Sequence, residues 1–125
     1  QIDTEAVIDE LFDTIESSPA TSSNPADYID AHSLEYRELT YYGQYSLSYI
    51  FHKFMEGEQT ELRGQLMKIL LDDLAPEAKL RLYAETGQEY FDEWAKGAVQ
   101  VLEQHDMDWI KENQPAMWIY LQMVE

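Results

Sequence analysis

Residues 39–54 read LTYYGQYSLSYIFHKF, and the pattern inside them decides the fold. The run YSLSYIF at 45–51 alternates briefly, as a strand would. Yet Leu47, Ile50, Phe51, Phe54 and Met55 recur at helical steps and carry an apolar stripe past the alternating stretch. The helical period therefore prevails on length. Gly43 interrupts the chain before this stripe, and Gly57 closes it.

The same grammar extends in both directions. Toward the N-terminus, Ile8, Leu11, Phe12 and Ile15 mark one helical face. Asp3 to Glu16 carries six acids and no base. Asp13 and Glu16 lie at the end where the helix dipole disfavours negative charge, so this helix must lean on packing. Ser17 to Ser23 is a polar, Pro-containing loop. Asn24-Pro25 opens a short helix to about His32, because Asn caps free amides and Pro at the first helical position loses nothing. Ser33 is placed to cap another over Leu34–Tyr42.

Toward the C-terminus, Thr60 is placed to cap a helix with Leu62, Leu66, Ile69, Leu70 and Leu74 in line. Ala75-Pro76 breaks and restarts the chain, with Leu80, Tyr83 and Ala84 expected to face inward. TGQE at 86–89 reads as a capping box. Phe91, Trp94, Ala95, Ala98 and Leu102 follow as a long stripe, and Gly97 is a candidate close helix contact. A short turn at Met107–Ile110 leads to Pro115 and a last helix, PAMWIYLQMV, expected to be buried on several sides. The expectation is an all-α domain, a bundle of six to eight short helices. Gly43-Gln44-Tyr45 and Gly87-Gln88-Glu89-Tyr90 stand 44 positions apart, within the period of HEAT-like helical hairpins. Residues 1–17 read as an acidic N-terminal helix, 18–24 as a loop or linker and 25–125 as the main helical body, one domain overall.

Charge narrows the function classes. The chain of 125 residues carries 25 acids and 8 bases, a formal net charge of −17. Nucleic acid and anionic membranes are disfavoured partners, since both are bound through Lys and Arg. No Lys or Arg precedes Arg37. Self-repulsion should lower stability at low salt. The absence of cysteine excludes disulfides, thiolate catalysis and zinc–thiolate sites.

Catalytic motifs are missing. HSLEY at 32–36 holds the first four positions of the inverted zinc-peptidase motif, but Tyr36 stands where the second His is needed. HDMD at 105–108 lacks the Gly and terminal Glu of a calcium loop, and Asp106 reads as a helix cap. No Ser or Thr stands three positions before a Lys, so an acylatable Ser-x-x-Lys site is absent. The reading is a chain that is not an enzyme, with no metal site and no cofactor. The tyrosines leave two readings open. Tyr42, Tyr45 and Tyr49 flank the 47/50/51/54 stripe, where a ring is buried while its hydroxyl reaches water. Alternatively Tyr41, Tyr42, Tyr45 and Tyr49 form a ring-stacking ligand face, and these four are the candidate binding residues.

The stretch SNPADYIDAHSLEYRELTYYGQYSLSYIFHKFMEG, followed by TELRGQLMKILLDDL, resembles a helical module of Firmicutes with an Asn-Pro-x-Asp-Tyr-Ile opening. Asn24, Pro25, Asp27, Tyr28 and Ile29 match the opening, and Tyr36, Leu39, Gly43, Leu47 and Phe54 the middle. Leu62, Met67 and Ile69 match the last helix, and TGQEYFDEW at 86–94 is similar to the continuation. Some such modules lie at the C-terminal end of membrane zinc-peptidase antirepressors of the β-lactam-sensor type. The resemblance implies a non-catalytic, extracytoplasmic sensor or interaction domain, tethered to the membrane only through an upstream anchor. The missing Ser-x-x-Lys departs from true β-lactam sensors and leaves the ligand unidentified. The alternative is a freestanding helical scaffold, cytoplasmic, that binds a protein partner.

Overall fold

Gly43 and Gly57 bracket the central helix as the pattern requires, with φ of +51° and +92° respectively. These are left-handed or mirror-extended values that glycine adopts without a Cβ clash. A computed structural model describes residues 3–124. Among them the regular elements are α1 (Thr4–Glu16), α2 (Pro25–Ala31), α3 (Ser33–Tyr42), α4 (Gln44–Glu56), α5 (Leu62–Leu74), α6 (Gly87–Gln104), α7 (Met107–Asn113) and α8 (Pro115–Met123). A 3-10 turn at Pro76–Ala78 follows α5. The all-α expectation holds, at the upper end of its helix count.

Local chemistry sets most of the helix starts. Asp3 caps α1 through its carboxylate, which accepts from the Ala6 amide at 3.3 Å. Asn24 Oδ1 accepts from the Ala26 amide at 3.1 Å, with Pro25 at the first helical position. Thr86 Oγ1 accepts from the Glu89 amide at 3.1 Å. Glu89 returns its carboxylate to the Glu85 amide at 2.8 Å, one residue earlier than a reciprocal capping box requires. Asp106 caps α7, accepting from the Trp109 amide at 2.9 Å.

Several expectations need correction. Ser33 is the first residue inside α3, and His32 precedes it with no side-chain cap. Thr60 does not cap α5, whose flanking residue is Glu61. The turn at Met107 grows into a seven-residue helix. Pro76 does not restart an α-helix: the chain makes one 3-10 turn, leaves it through an extended Lys79, and runs without helix, turn or bend to Ala84. Tyr83 consequently points to solvent at 87% exposure, while Leu80 and Ala84 pack partly against the core.

The core has two lobes joined by α4. On one side Phe51 and Phe54 of α4 meet Phe91 and Trp94 of α6 and Tyr120 of α8. Phe54 stacks on Phe91 at 4.8 Å between centroids, and Tyr120 stands edge-on to Trp94 at 5.8 Å. On the other side Ile8, Phe12 and Ile15 of α1 are buried against α3, α4 and α5. Phe12 stacks on Tyr49 at 5.5 Å. Edge-to-face and offset-stacked arrangements of this kind add to the burial of the rings themselves.

The α5–α6 crossing is the tightest contact. A Cβ on Gly87 would run into the carbonyl of Gly64, and a Cβ on Gly64 into that of Gln59. Hydrogen bonds lock this point: Gln88 N donates to Gln59 O (3.1 Å), Gln59 N to Gln88 Oε1 (3.0 Å), and Gln88 Nε2 to Phe54 O (3.0 Å). Gly97, read as a close-contact residue, is not crowded; a Cβ there would come no nearer than 4.0 Å to the Met117 methyl. Among the described residues no helix is long and apolar enough to cross a membrane.

Candidate binding cleft

The four candidate tyrosines do not share a face. Tyr41 is 84% exposed and Tyr45 56%, whereas Tyr49 is 3% exposed and lies in the core. Tyr42 packs partly against that core, with its ring edge-on to Tyr41 at 6.1 Å. Only Tyr45 and Tyr49 meet in one recess, a small hollow of about 210 Å³ shared with Ile8, Ser48 and His52. The break at Gly43 explains much of the split: Tyr41 lies in α3, whereas Tyr45 and Tyr49 stand one turn apart on α4.

Tyr49 belongs instead to a polar network around Arg63. Its hydroxyl donates to Asp9 Oδ1 at 2.5 Å and accepts from Arg63 Nη1 at 2.8 Å. The guanidinium also meets Asp13 at 2.5 Å and bonds Glu16 through Nε. Three α1 carboxylates one helical turn apart thus converge on one α5 cation. This answers the like-charge burden of α1. The bond from Tyr49, aided by the Arg63 charge, holds the Asp9 carboxyl below the usual range. Burial, then the bond to Asp9, pushes the Tyr49 phenol up. Burial opposes the Arg63 charge, but Glu16, Tyr49 and Asp13 outweigh it and raise the guanidinium further. A second strut joins α3 to α5, where the Tyr36 hydroxyl donates to Asp73.

Another cleft lies elsewhere, between α5, the segment Leu82–Glu85 and the first turn of α6. It holds about 370 Å³, and its walls include Lys68, Ile69, Leu82, Tyr83, Thr86 and Tyr90. Small-ligand sites fall in this size class and combine apolar walls with a few polar groups. The floor is a satisfied polar chain. Leu80 N donates to the Tyr90 hydroxyl at 2.9 Å, which donates to buried Asp72 at 2.5 Å. Lys68 Nζ lies 3.2 Å from Asp72 and 4.9 Å above the Tyr90 ring centroid. Burial and the Asp72 bond push the Tyr90 phenol from an ordinary 10.0 to about 12. Tyr90 therefore stays neutral at physiological pH and positions the segment, while Lys68, Thr86 and Tyr83 border open space.

Among the described residues, no backbone hydrogen bond pairs residues 81–84 with another element. Their amides and carbonyls, with the exposed side chains of Leu82 and Tyr83, stand beside the cleft without a backbone partner among the described residues. Sequence reading missed this site by continuing helix through it. A signal was present: Leu80, Leu82 and Ala84 alternate with Lys79, Arg81 and Tyr83, which is a strand period.

The histidines stand apart. His32 Nε2 meets Ser18 Oγ at 2.9 Å, His52 borders the tyrosine recess, and His105 stacks on Trp109 at 3.5 Å. Among the described residues, no three His, Asp or Glu side chains are grouped to hold a metal ion. No protein-family model, curated protein or solved structure matches the chain.

Proposed function

We propose that this chain is a non-catalytic sensor or interaction domain whose ligand, an extended peptide, lies in the cleft between α5 and α6. One observation carries the reading: the main chain of residues 81–84, free of helix, turn and bend, makes no backbone hydrogen bond among the described residues, and Leu82 to Ala84 line a 370 Å³ cleft. An incoming strand gains main-chain hydrogen bonds from such a segment and side-chain selectivity from the pockets beside it. Leu82 and Tyr83 supply apolar and aromatic contact, and Lys68 and Thr86 supply polar contact on the opposite wall. The resemblance of residues 23–94 to the antirepressor module supports an extracytoplasmic setting, with binding reported through the helices to an upstream membrane part.

The test is titration of the 15N-labelled chain with defined hexapeptide pools while backbone amide shifts are followed. Shifts centred on residues 79–90 that disappear in Tyr83→Ala support the reading. Saturating shifts centred elsewhere, or none at millimolar peptide, refute it. The setting has its own check in the gene. Membrane-spanning helices and a His-Glu-x-x-His motif encoded upstream support the extracytoplasmic role, and a purely cytosolic reading frame removes it.

A further inference from the structure

A second surface, independent of the peptide cleft, lies on the opposite side of α6. Gln88, Asp92, Ala95 and Val99 line a groove at steps of four, three and four residues, one stripe along the helix. Leu102, exposed three residues further on, continues it. From Gln88 to Leu102 the stripe runs about 20 Å at 1.5 Å per residue. The groove encloses about 560 Å³, and Phe54, Phe91 and Tyr120 form its floor. Met55, at 42% exposure, and Val99, at 48%, stand on its walls. These are large apolar side chains left in water by a chain whose core is otherwise well filled. Methionine and aliphatic groups on an open wall suit a partner whose side chains interleave with them.

The electrostatics select the partner. Asp92 lines the groove, and the exposed Glu56 and Glu58 flank Met55 and Gly57, which also line it. The one lysine on its wall, Lys96, is engaged by Glu93 at 3.2 Å. The Asp92 charge is close enough to Tyr120 to add to the rise that burial imposes on that phenol. A stripe about 20 Å long, apolar from Ala95 to Leu102 and beside Met55 but anionic at Asp92 and along the Glu56–Glu58 rim, complements an amphipathic helix of about four turns that carries Lys or Arg beside its apolar stripe. It disfavours a second copy of this chain, because each copy brings a net charge of −17. It disfavours an anionic lipid surface for the same reason.

We propose that the α4–α6–α8 groove is a docking site for a basic amphipathic helix of a partner protein, which seats its apolar face on Met55, Ala95 and Val99. The probe is a fluorescein-labelled 15-residue peptide of Leu and Lys with Leu at helical spacing. It is titrated by anisotropy into the full chain, beside a scrambled peptide of identical composition. The expected result is saturable binding of the amphipathic peptide, at least tenfold tighter than the scrambled one and weakened by salt. Val99→Asp should weaken it at least tenfold with the thermal midpoint unchanged, because that side chain is exposed; Asp92→Lys should weaken it as much, with a small drop in midpoint because Asp92 also accepts from Gln88 Nε2 at 3.0 Å. Tyr83→Ala should leave it unaffected, which separates this groove from the peptide cleft. Equal binding of the two peptides would reduce the effect to net charge and overturn the proposal. So would unaltered binding by Val99→Asp, or self-association of the free chain abolished by that same change.

Discussion

Gly87, the first residue of α6, rests on the backbone of Gly64 in α5 with no room for a methyl group between them. Two helices approach this closely only where both lack side chains, and the paired Gln59–Gln88 bonds close the contact. The crossing fixes where the connecting segment enters α6, and hence one end of the cleft.

Gly87→Ala should destabilise the chain by about 3 kcal/mol, because the obstructing atom is a backbone carbonyl that cannot rotate away. Gly97→Ala is the internal control. It sits within α6 with nothing nearer than 4.0 Å to a new Cβ, and replacing a mid-helix glycine should stabilise by about 0.5–1 kcal/mol. Urea midpoints of the two variants, read by far-UV circular dichroism, should move in opposite directions.

Arg63→Met should expose the like-charge burden of α1. The change leaves Asp9, Asp13 and Glu16 without their shared cation and the buried Tyr49 with one partner fewer. Because these carboxylates are partly in water, a loss of about 1–2 kcal/mol is expected. It should shrink as salt is added. Wild type and variant melted at low and high salt give the comparison.

Acid should act through the same network. The folded-state pKa of Asp9 lies below its ordinary 3.8, so the folded state favours the ionised form. The resulting stability is fully present above 3.8 and is lost as pH falls toward the folded value. Asp9→Asn should therefore lower the thermal midpoint at neutral pH. Its deficit should narrow below pH 3.8.

At the alkaline end the sign reverses. The Tyr90 phenol ionises near 10.0 when unfolded and near 12 when folded. Its contribution is intact below pH 10 and declines as pH rises toward 12, because only the unfolded chain gains from releasing the proton. Tyr36 and Tyr49, also raised by burial, act in the same direction. Phenolate absorbance at 295 nm from Tyr36, Tyr49 and Tyr90 should appear only together with loss of helix, and single Tyr→Phe variants assign it. Ionisation of these three with the helix signal intact would contradict this.

Trp94 is fully buried, and among the described residues its indole N–H meets no acceptor. Trp94→Phe removes that orphan donor while leaving a small void, so the two effects offset and a net loss of only about 1 kcal/mol is expected. Trp94→Ala should cost about 3–5 kcal/mol, since the ring contacts with Phe51, Phe91 and Tyr120 vanish. Chemical denaturation of both variants separates the terms.

The sequence by itself determined the helical class, the position of most helices and the main apolar stripes. These follow from spacing along one chain: Leu47, Ile50, Phe51 and Phe54 recur with the helix period, while Asn24-Pro25, Gly43 and Gly57 mark ends through local backbone chemistry. The tertiary structure decided everything that depends on distant partners. It placed Tyr49 against Asp9 and Arg63, residues 40 and 14 positions away, and so separated it from Tyr41. It kept Lys79–Ala84 out of helix, because Tyr90 catches the Leu80 amide and the Gly64–Gly87 contact sets where α6 begins. Periodicity records which residues leave water, but not which helix covers them. That is settled when competing apolar faces and buried polar groups are satisfied together, and the cleft and groove are what remain open after that settlement.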